Sequence, residues 1–478
     1  MTSNIVKFVY KNKICEIEDP DPNETILNYV RTKLKKTGTK EGCAEGGCGA
    51  CTIVLAELKK NNIDYKAINS CIAFLPSLEG KQLILVEDLV FEDKLHPVQK
   101  AMVNYHASQC GFCTPGFVMS LFAMYKNNSS YKEEIIKDSI QGNLCRCTGY
   151  RPIIDAAKSL NTESKFDHFS KNKNITLSLL KKINQRDIAI YNNNKKYFAP
   201  KSIKQLKNII QKESNSKLIS GGTDVSLIVT KEKKDLNSLI YMNSIDELNY
   251  LKEKNGYIEI GATTPLINLE SFIKKFFPDF SSILRRYGSV QIRNVCTVAG
   301  NIGTASPIGD TLPLLLTLDT QVVINGKNKT QILPLNSFFL GYRKTKLKKG
   351  QFIQSIRIPL SKKNIFKAYK ISKRIDDDIS SVCASFNVEI NNNIIKKIKI
   401  AYGGMSNIPK RAFNCEKILL NSYLSDKTIK KAKRLLEKDY KPITDTRASK
   451  EYRMQIAKNL LEKCFIEIRQ KKLIRINF

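Results

Sequence analysis

Cysteine placement constrains this chain more than any other feature. Nine of the 13 cysteines fall within the first 147 of 478 residues. The loop Gly42-Cys43-Ala44-Glu45-Gly46-Gly47-Cys48-Gly49-Ala50-Cys51 spaces its thiols as C-x4-C-x2-C, and Cys71 follows after 19 intervening residues. That is the plant-type 2Fe–2S spacing, in which three thiolates come from one tight loop and the fourth from a separate segment. The glycines let the backbone wrap closely and leave N–H groups free to point at sulfur. Zinc knuckles instead prefer paired C-x2-C units. Cys15 lies outside the pattern and reads as structural. Cys296, Cys383, Cys415 and Cys464 are scattered and read as buried small apolar residues.

A second set follows. Cys110-Gly111-Phe112-Cys113 precedes a predicted helix from Gly116, and Cys145-Arg146-Cys147 precedes another from Pro152. Thiolates near helix N-termini are stabilised by the exposed amides and the helix dipole. C-x2-C followed by C-x-C is in isolation equally compatible with zinc. Beside the first loop it reads as a second 2Fe–2S cluster, and two such centres close together form an electron relay.

Composition narrows the class. Hydrophobic residues make up 42% and charged residues 26%, which excludes a disordered or collagenous chain. No apolar run approaches the ~20 residues a membrane-spanning helix needs. Met1 to Tyr10 lacks the apolar core of a signal peptide, so the expectation is a cytoplasmic protein whose cysteines serve metal or redox chemistry. The net charge of +34 invites a nucleic-acid reading. The excess, however, is lysine spread along the chain, with arginine only a minor part, which reads as solvated surface.

Periodicity divides the chain into five segments. Residues 5–10 and 13–17 read as strands, Thr25 to Leu34 as a helix, and Thr52 to Glu57 and Gln82 to Glu87 as further strands, giving a small half-open sheet wrapped on one helix over 1–89. Residues 90–160 hold four short amphipathic helices, and 161–185 read as a polar linker with at most one helical turn. Strands and helices mix over 186–360. The section 361–478 opens with strands and closes on two helices, the first capped by Ser425. In the last helix Tyr452, Ile456, Leu460 and Cys464 recur every four residues as the expected inner face.

The strings Gln109-Cys110-Gly111-Phe112-Cys113-Thr114-Pro115-Gly116 and Cys145-Arg146-Cys147-Thr148-Gly149-Tyr150-Arg151-Pro152 resemble the all-helical iron–sulfur domain of the molybdenum hydroxylases. That family includes xanthine dehydrogenase, aldehyde oxidase and carbon monoxide dehydrogenase. The resemblance implies an α+β multidomain chain: a β-grasp ferredoxin-like domain, an all-helical 2Fe–2S domain, and a two-part α+β FAD-binding domain with a C-terminal α/β subdomain. It also implies that Gln109 contacts a molybdopterin cofactor held by another chain. Ala44 stands where members often carry another residue such as glycine.

No G-x-G-x-x-G follows a strand, so a Rossmann fold is not expected. Two other loops read either as plain turns or as phosphate cradles: Ser220-Gly221-Gly222-Thr223-Asp224, and Ala299-Gly300-Asn301-Ile302-Gly303-Thr304-Ala305-Ser306-Pro307-Ile308-Gly309-Asp310. With Gln291-Ile292-Arg293-Asn294 ahead of the second loop, they resemble the FAD domain of the same family. The resemblance implies that Leu218, Ile219, Ser220, Gly221, Gly222, Thr223, Asp224 and Val225 lie along the FAD pyrophosphate. It further implies FAD contacts from Tyr287, Gly300, Asn301, Thr304, Ser306, Asp310 and Lys370. Asp376, Asp377 and Asp378 lie near the flavin edge or form a solvated acidic turn.

Nothing in the 478 residues resembles the family's molybdopterin domain, and His96, His106 and His168 read as structural or surface residues. The expectation is a chain without the substrate-oxidising site, resembling the small subunit of bacterial xanthine dehydrogenases. It would take electrons from a molybdopterin-binding large subunit in a heterotetramer of two small and two large chains, pass them through two clusters to FAD, and discharge them to NAD+. The alternatives are an aldehyde or N-heterocycle hydroxylase subunit that uses oxygen or a quinone, and a non-enzymatic metal-binding module.

Overall fold

A computed structural model describes residues 4–128, 130–160, 167–183, 186–327, 329–361 and 363–474. The chain forms two compact units, Met1–Asp246 with Gly288–Cys296, and Glu247–Tyr287 with Thr297–Phe478.

The first unit begins with a five-stranded sheet in the order Lys13–Glu18, Ile5–Tyr10, Gln82–Ile84, Thr52–Lys59, Asn62–Asn69. Only the pairing of Ile5–Tyr10 with Gln82–Ile84 is parallel. Asn62–Asn69 was not anticipated, although Ile63, Tyr65 and Ala67 alternate with polar residues, which is the signature of a half-buried strand. Helix Ile26–Thr32 starts where Thr25 accepts a hydrogen bond from the Asn28 amide at 3.1 Å, and it buries Ile26, Leu27 and Val30.

The sheet is not half-open. Successive side chains of a strand point to opposite faces, and Thr52–Lys59 buries both. Ile53 and Leu55 pack with Ile26 and Val30. Val54 and Ala56 pack with Phe117, Leu121 and Phe122 of helix Thr114–Asn127. That helix is buried on nearly every side from Gly116 to Tyr125, and Pro97–Asn104, Glu133–Ile140 and Arg151–Ser159 surround it. The thiol-bearing loops of both sets therefore hang from one shared core.

The expected linker over 161–185 is helical where it is described: His168–Lys171 and Lys173–Ile183. Residues 161–166 and 184–185 lie outside the described residues. Thr176, Leu180 and Ile183 are the buried positions of the second helix, an i, i+4, i+7 stripe diluted by lysines. A four-stranded sheet in the order Ile188–Asn192, Lys195–Ala199, Ser238–Tyr241, Lys217–Ile219 completes the unit.

The second unit holds an antiparallel five-stranded sheet in the order Leu251–Lys254, Tyr257–Gly261, Phe352–Pro359, Gln321–Asn325, Gln331–Pro334. A four-stranded sheet runs Ile365–Ile371, Val382–Asn391, Ile394–Gly403, Lys410–Arg411 and is packed by helices Phe413–Leu419, Asp426–Asp439 and Lys450–Gln470. The last helix buries Leu460 and Cys464 of its four-residue apolar repeat and packs Ile456 against the core, but leaves the first member of the repeat outside. Tyr452 is exposed, while Arg453, Ala457, Leu460, Leu461, Cys464 and Phe465 are buried. Arg453 is drawn in because its guanidinium donates to the Ser381 and Gly404 carbonyls at 2.7 and 2.9 Å and to Asp445 at 2.6 Å.

Within the first unit, Asp167 is buried between His96 Nε2 at 3.1 Å and Lys126 Nζ at 2.8 Å. Burial raises the Asp167 pKa, but the His96 hydrogen bond and the Lys126 charge outweigh it and hold the carboxyl well below its usual range. A depressed folded-state pKa contributes stability above the unfolded value of about 4, and that stability is lost as pH falls through the folded value. Asp167→Asn should therefore cost about 3 kcal/mol at pH 7. In thermal melts its deficit against wild type should shrink steadily below about pH 4.

Candidate metal centres and cofactor cradle

The first thiol loop closes by local turns at Gly46 and Gly49, with φ of 78° and 70°. Ala44 also adopts a left-handed φ of 55°, a conformation glycine occupies without strain, which explains why a residue such as glycine suits this position. Cys51 Sγ lies 3.3 Å from Cys71 Sγ, both buried. Cys43 Sγ accepts from the Glu45 and Gly47 amides at 3.5 and 3.3 Å, and Asn69 Nδ2 lies 3.8 Å from Cys51 Sγ. Hydrogen bonds from Cys48 and then Cys71 hold the Cys43 thiol well below its ordinary range, and Cys71 does the same for Cys51. The donating thiols are pushed up, Cys48 by Cys43 and Cys71 by Cys43 and Cys51.

The second set pairs in the same way. Cys113 sits at the N-cap of Thr114–Asn127. Burial, and then its bond to Cys145, pushes the Cys113 thiol up to about 12. Burial also opposes ionisation of Cys145, but the Thr148 hydroxyl and the amides of Thr148 and Cys147, at 3.1, 3.4 and 3.4 Å, bring that thiol down to about 7. Cys110 and Cys147 are free, exposed and hydrogen-bonded to each other; the Phe112 amide and then Cys147 lower the Cys110 thiol. Gln109 is exposed beside them.

Among the described residues no three His, Cys, Asp or Glu side chains converge on one point that a single metal ion could occupy. The thiols of the first set instead meet in a chain, Cys48 to Cys43 to Cys71 to Cys51, and those of the second as Cys110 with Cys147 and Cys113 with Cys145. A 2Fe–2S cluster asks for this donor set, four thiolates shared over two irons with amides aimed at sulfur. The residues present therefore fit two such clusters. Cys43, Cys48, Cys51 and Cys71 would hold one; Cys110, Cys113, Cys145 and Cys147 would hold the other.

The two loops touch. The Leu144 amide, next to Cys145, donates to the Cys48 carbonyl at 3.0 Å, and Asn143 Nδ2 donates to the Gly49 carbonyl at 3.0 Å. A Cβ at Gly49 would stand 2.2 Å from the Gly142 carbonyl, so only glycine allows this approach.

The expected FAD residues fall in both units. In the first, Leu218 and Ile219 end a strand and the turn at Ser220–Gly222 follows. Ser220 Oγ donates to Asn243 Oδ1. A Cβ at Gly221 would meet the Val295 carbonyl at 2.2 Å, and one at Gly222 would lie 3.4 Å from the Ile72 carbonyl. Thr223, Asp224 and Val225 lead into the short helix Leu227–Thr230, and Ser226 Oγ is buried without a partner. The bare backbone turn and this spare hydroxyl fit an anionic ligand such as the FAD pyrophosphate.

In the second unit, Gly300, Asn301 and Thr304 lie on helix Val298–Thr304, capped by Thr297, and Ser306 follows. Tyr287 ends the segment that precedes Gly288. Asp310 and Lys370 form a buried ion pair at 2.8 Å. Asp310 also accepts from Ser380 at 2.5 Å, and Lys370 donates to the Arg286 carbonyl at 2.8 Å. Their charges are thus directed at each other and fix the Ser306–Asp310 turn to strand Ile365–Ile371. Asp378 accepts from the Arg374 amide at 2.8 Å and closes an acidic turn through Asp376 and Asp377. Of the histidines, His96 is buried against Asp167, His168 bonds the Asp88 carbonyl at 3.1 Å, and His106 is exposed.

Four families match in chain order. They are a 2Fe-2S iron-sulfur cluster binding domain at residues 9–75, a [2Fe-2S] binding domain at 85–158, an FAD binding domain in molybdopterin dehydrogenase at 191–361, and a CO dehydrogenase flavoprotein C-terminal domain at 367–468. The chain belongs to the molybdenum hydroxylase family. Xanthine dehydrogenase of Emericella nidulans is 32% identical over 91% of this chain and 36% of its own length. The Oryza sativa xanthine dehydrogenase is 33% identical over 83% and 34%, and the Rattus norvegicus xanthine dehydrogenase/oxidase 31% identical over 84% and 34%. The chain thus spans about a third of the curated relatives it matches. Among solved structures, a carbon monoxide dehydrogenase from Hydrogenophaga pseudoflava matches with a TM-score of 0.53 at 23% identity, over 56% of this chain and 94% of that one. Quinoline 2-oxidoreductase from Pseudomonas putida 86 matches with 0.54 at 18%, over 58% and 98%. At these identities the likeness is one of fold. As a molybdenum hydroxylase chain, this protein carries two 2Fe–2S domains and an FAD domain.

Purified protein should bind about four irons and four acid-labile sulfides. Cys43→Ser should remove only the first EPR signal and Cys147→Ser only the second, each leaving about two irons. Stoichiometric zinc without labile sulfide would overturn the assignment.

Proposed function

We propose that this chain is the electron-transfer subunit of a xanthine dehydrogenase, relaying electrons from a molybdopterin-binding partner to NAD+ in support of hypoxanthine and xanthine oxidation to urate. One observation of the first unit carries the reading. The loop of Cys145 is hydrogen-bonded to the loop of Cys48, and the Gly221-Gly222 turn lies against Ile72, next to Cys71. Three loops that suit three redox groups are therefore strung in one line.

When bound, the clusters supply one-electron carriers, and FAD supplies the two-electron store that hydride transfer to NAD+ requires. The protein's part is arrangement. Exposed Cys110, Cys147 and Gln109 form the outer end, where a partner's molybdopterin could approach. Exposed Val103, Tyr105 and Phe112 flank them and suit a docking surface. Buried Cys51 and Cys71 form the inner end, where water is excluded beside the flavin cradle.

The relatives named xanthine dehydrogenase support the substrate, and NAD+ as acceptor is our own inference. We infer a heterotetramer of two such chains and two large subunits in the cytoplasm. Among the described residues no helix is long and apolar enough to cross a membrane.

Gly221→Val should force the Val295 carbonyl aside and abolish FAD binding. In stopped flow with the large subunit and xanthine, cluster reduction should persist while NAD+ reduction disappears. Reduction of NAD+ at the wild-type rate by the flavin-free complex would overturn the route. Turnover with oxygen or a quinone but not NAD+ would replace the acceptor.

A further inference from the structure

The run Gln291-Ile292-Arg293-Asn294 belongs to the flavin segment in sequence, yet Gly288–Cys296 is built into the unit that holds both thiol sets. Each of its residues grips a different neighbour there. Ile292 packs with Cys51, Cys71 and Ile72. The fully buried Arg293 donates to Asp138 at 2.7 Å, on the helix that leads to the second thiol loop. Asn294 donates to the Ala67 carbonyl at 2.8 Å, on the strand that leads to Cys71.

Gln291 stands at the seam itself. Its buried Nε2 lies 3.2 Å from Thr52 Oγ1, one residue after Cys51, and 3.1 Å from Asn143 Oδ1, two residues before Cys145. It also lies 3.1 Å from Ser120 Oγ. The hydroxyl protons are already committed. Thr52 donates to the Gly49 carbonyl at 2.6 Å and Ser120 donates to Asn143 Oδ1 at 2.7 Å. Three acceptors therefore face one NH2 group, whose two protons they share; Asn143 Nδ2 also reaches Thr52 Oγ1, at a longer 3.4 Å. Every group in the network is neutral.

Resting on the function proposed above, we propose that Gln291 is a positioning residue for electron transfer between the two clusters: its amide ties the loop of Cys48 and Cys51 to the loop of Cys145 and sets their separation. The transfer moves one electron from one metal pair to the other, with no bond made and no proton moved. What the side chain controls is distance and rigidity. A shell that holds donor and acceptor loosely loses rate even when both remain present.

The test uses the full chain with both clusters, compared with Gln291→Met, which keeps the length and volume but donates nothing. Ser120→Ala, which removes one of the three acceptors, is the second variant. Iron and labile sulfide are measured first; their absence in wild type overturns the proposed function and the role of Gln291 with it, whereas full iron with unchanged readouts in the variant overturns the role alone. The readouts are the spin–spin splitting between the two reduced clusters by EPR, and re-equilibration between them after flash photoreduction with a deazaflavin. Iron-replete Gln291→Met should keep both individual signals, with an altered splitting and a several-fold slower re-equilibration. Ser120→Ala should move both readouts in the same direction by less. Wild-type splitting and rate in iron-replete Gln291→Met would overturn the proposal. If that variant loses its clusters, unchanged readouts in Ser120→Ala, or loss of its individual cluster signals, would overturn it equally.

Discussion

The Gly49 carbonyl is the point on which the first unit turns. It accepts from the Thr52 amide at 3.0 Å, the Thr52 hydroxyl at 2.6 Å and Asn143 Nδ2 at 3.0 Å. Buried polar groups are costly unless paired. A loop that must keep its amides free for sulfur cannot satisfy all its carbonyls internally, so it borrows donors from the other thiol loop and from its own following strand. That requirement draws Asn143, Ser120 and Gln291 into one neutral network. Arg293, two residues after Gln291, forms an ion pair with Asp138 at 2.7 Å.

The same economy governs the sheet. Thr52–Lys59 runs out of the first thiol loop and is apolar on both faces because helix Ile26–Thr32 covers one and Thr114–Asn127 the other. Thr114–Asn127 begins at Cys113. One rigid strand and one buried helix therefore anchor a thiol from each set, and close packing of this core transmits any displacement from one loop to the other. Exposure then grades the thiols, from open Cys110 and Cys147 to buried Cys51 and Cys71.

Much of this was legible in residues 1–160. The C-x4-C-x2-C loop, Cys71, and the C-x2-C and C-x-C pairs are local patterns whose chemistry dictates their spacing, and the structure pairs those eight thiols. Helix starts at Thr25 and Ser425 were legible because capping is a local hydrogen bond. The helix Lys173–Ile183 was missed because lysines surround a short inward stripe that includes a threonine, and the burial of Arg453 in Lys450–Gln470 was not foreseen because arginine is ordinarily a surface residue. Asp310 and Lys370, both expected among the FAD contacts, also pair with each other, a link across 60 residues that no local pattern reports.

From the sequence came the first cluster's thiol spacing, a local chemical requirement, and the motif strings whose family resemblance extends the reading to a second cluster and FAD. Only the tertiary structure decided how the sites are connected. The bond from Leu144 to Cys48 and the threefold reach of Gln291 join residues about 90 to 240 positions apart, as Asn143 with Gly49 and Gln291 with Thr52 illustrate, and the buried faces of Thr52–Lys59 meet helices on either side of it in the chain. Contacts of that span arise from packing a core and satisfying the polar groups it buries, and neither leaves a periodic trace in the chain.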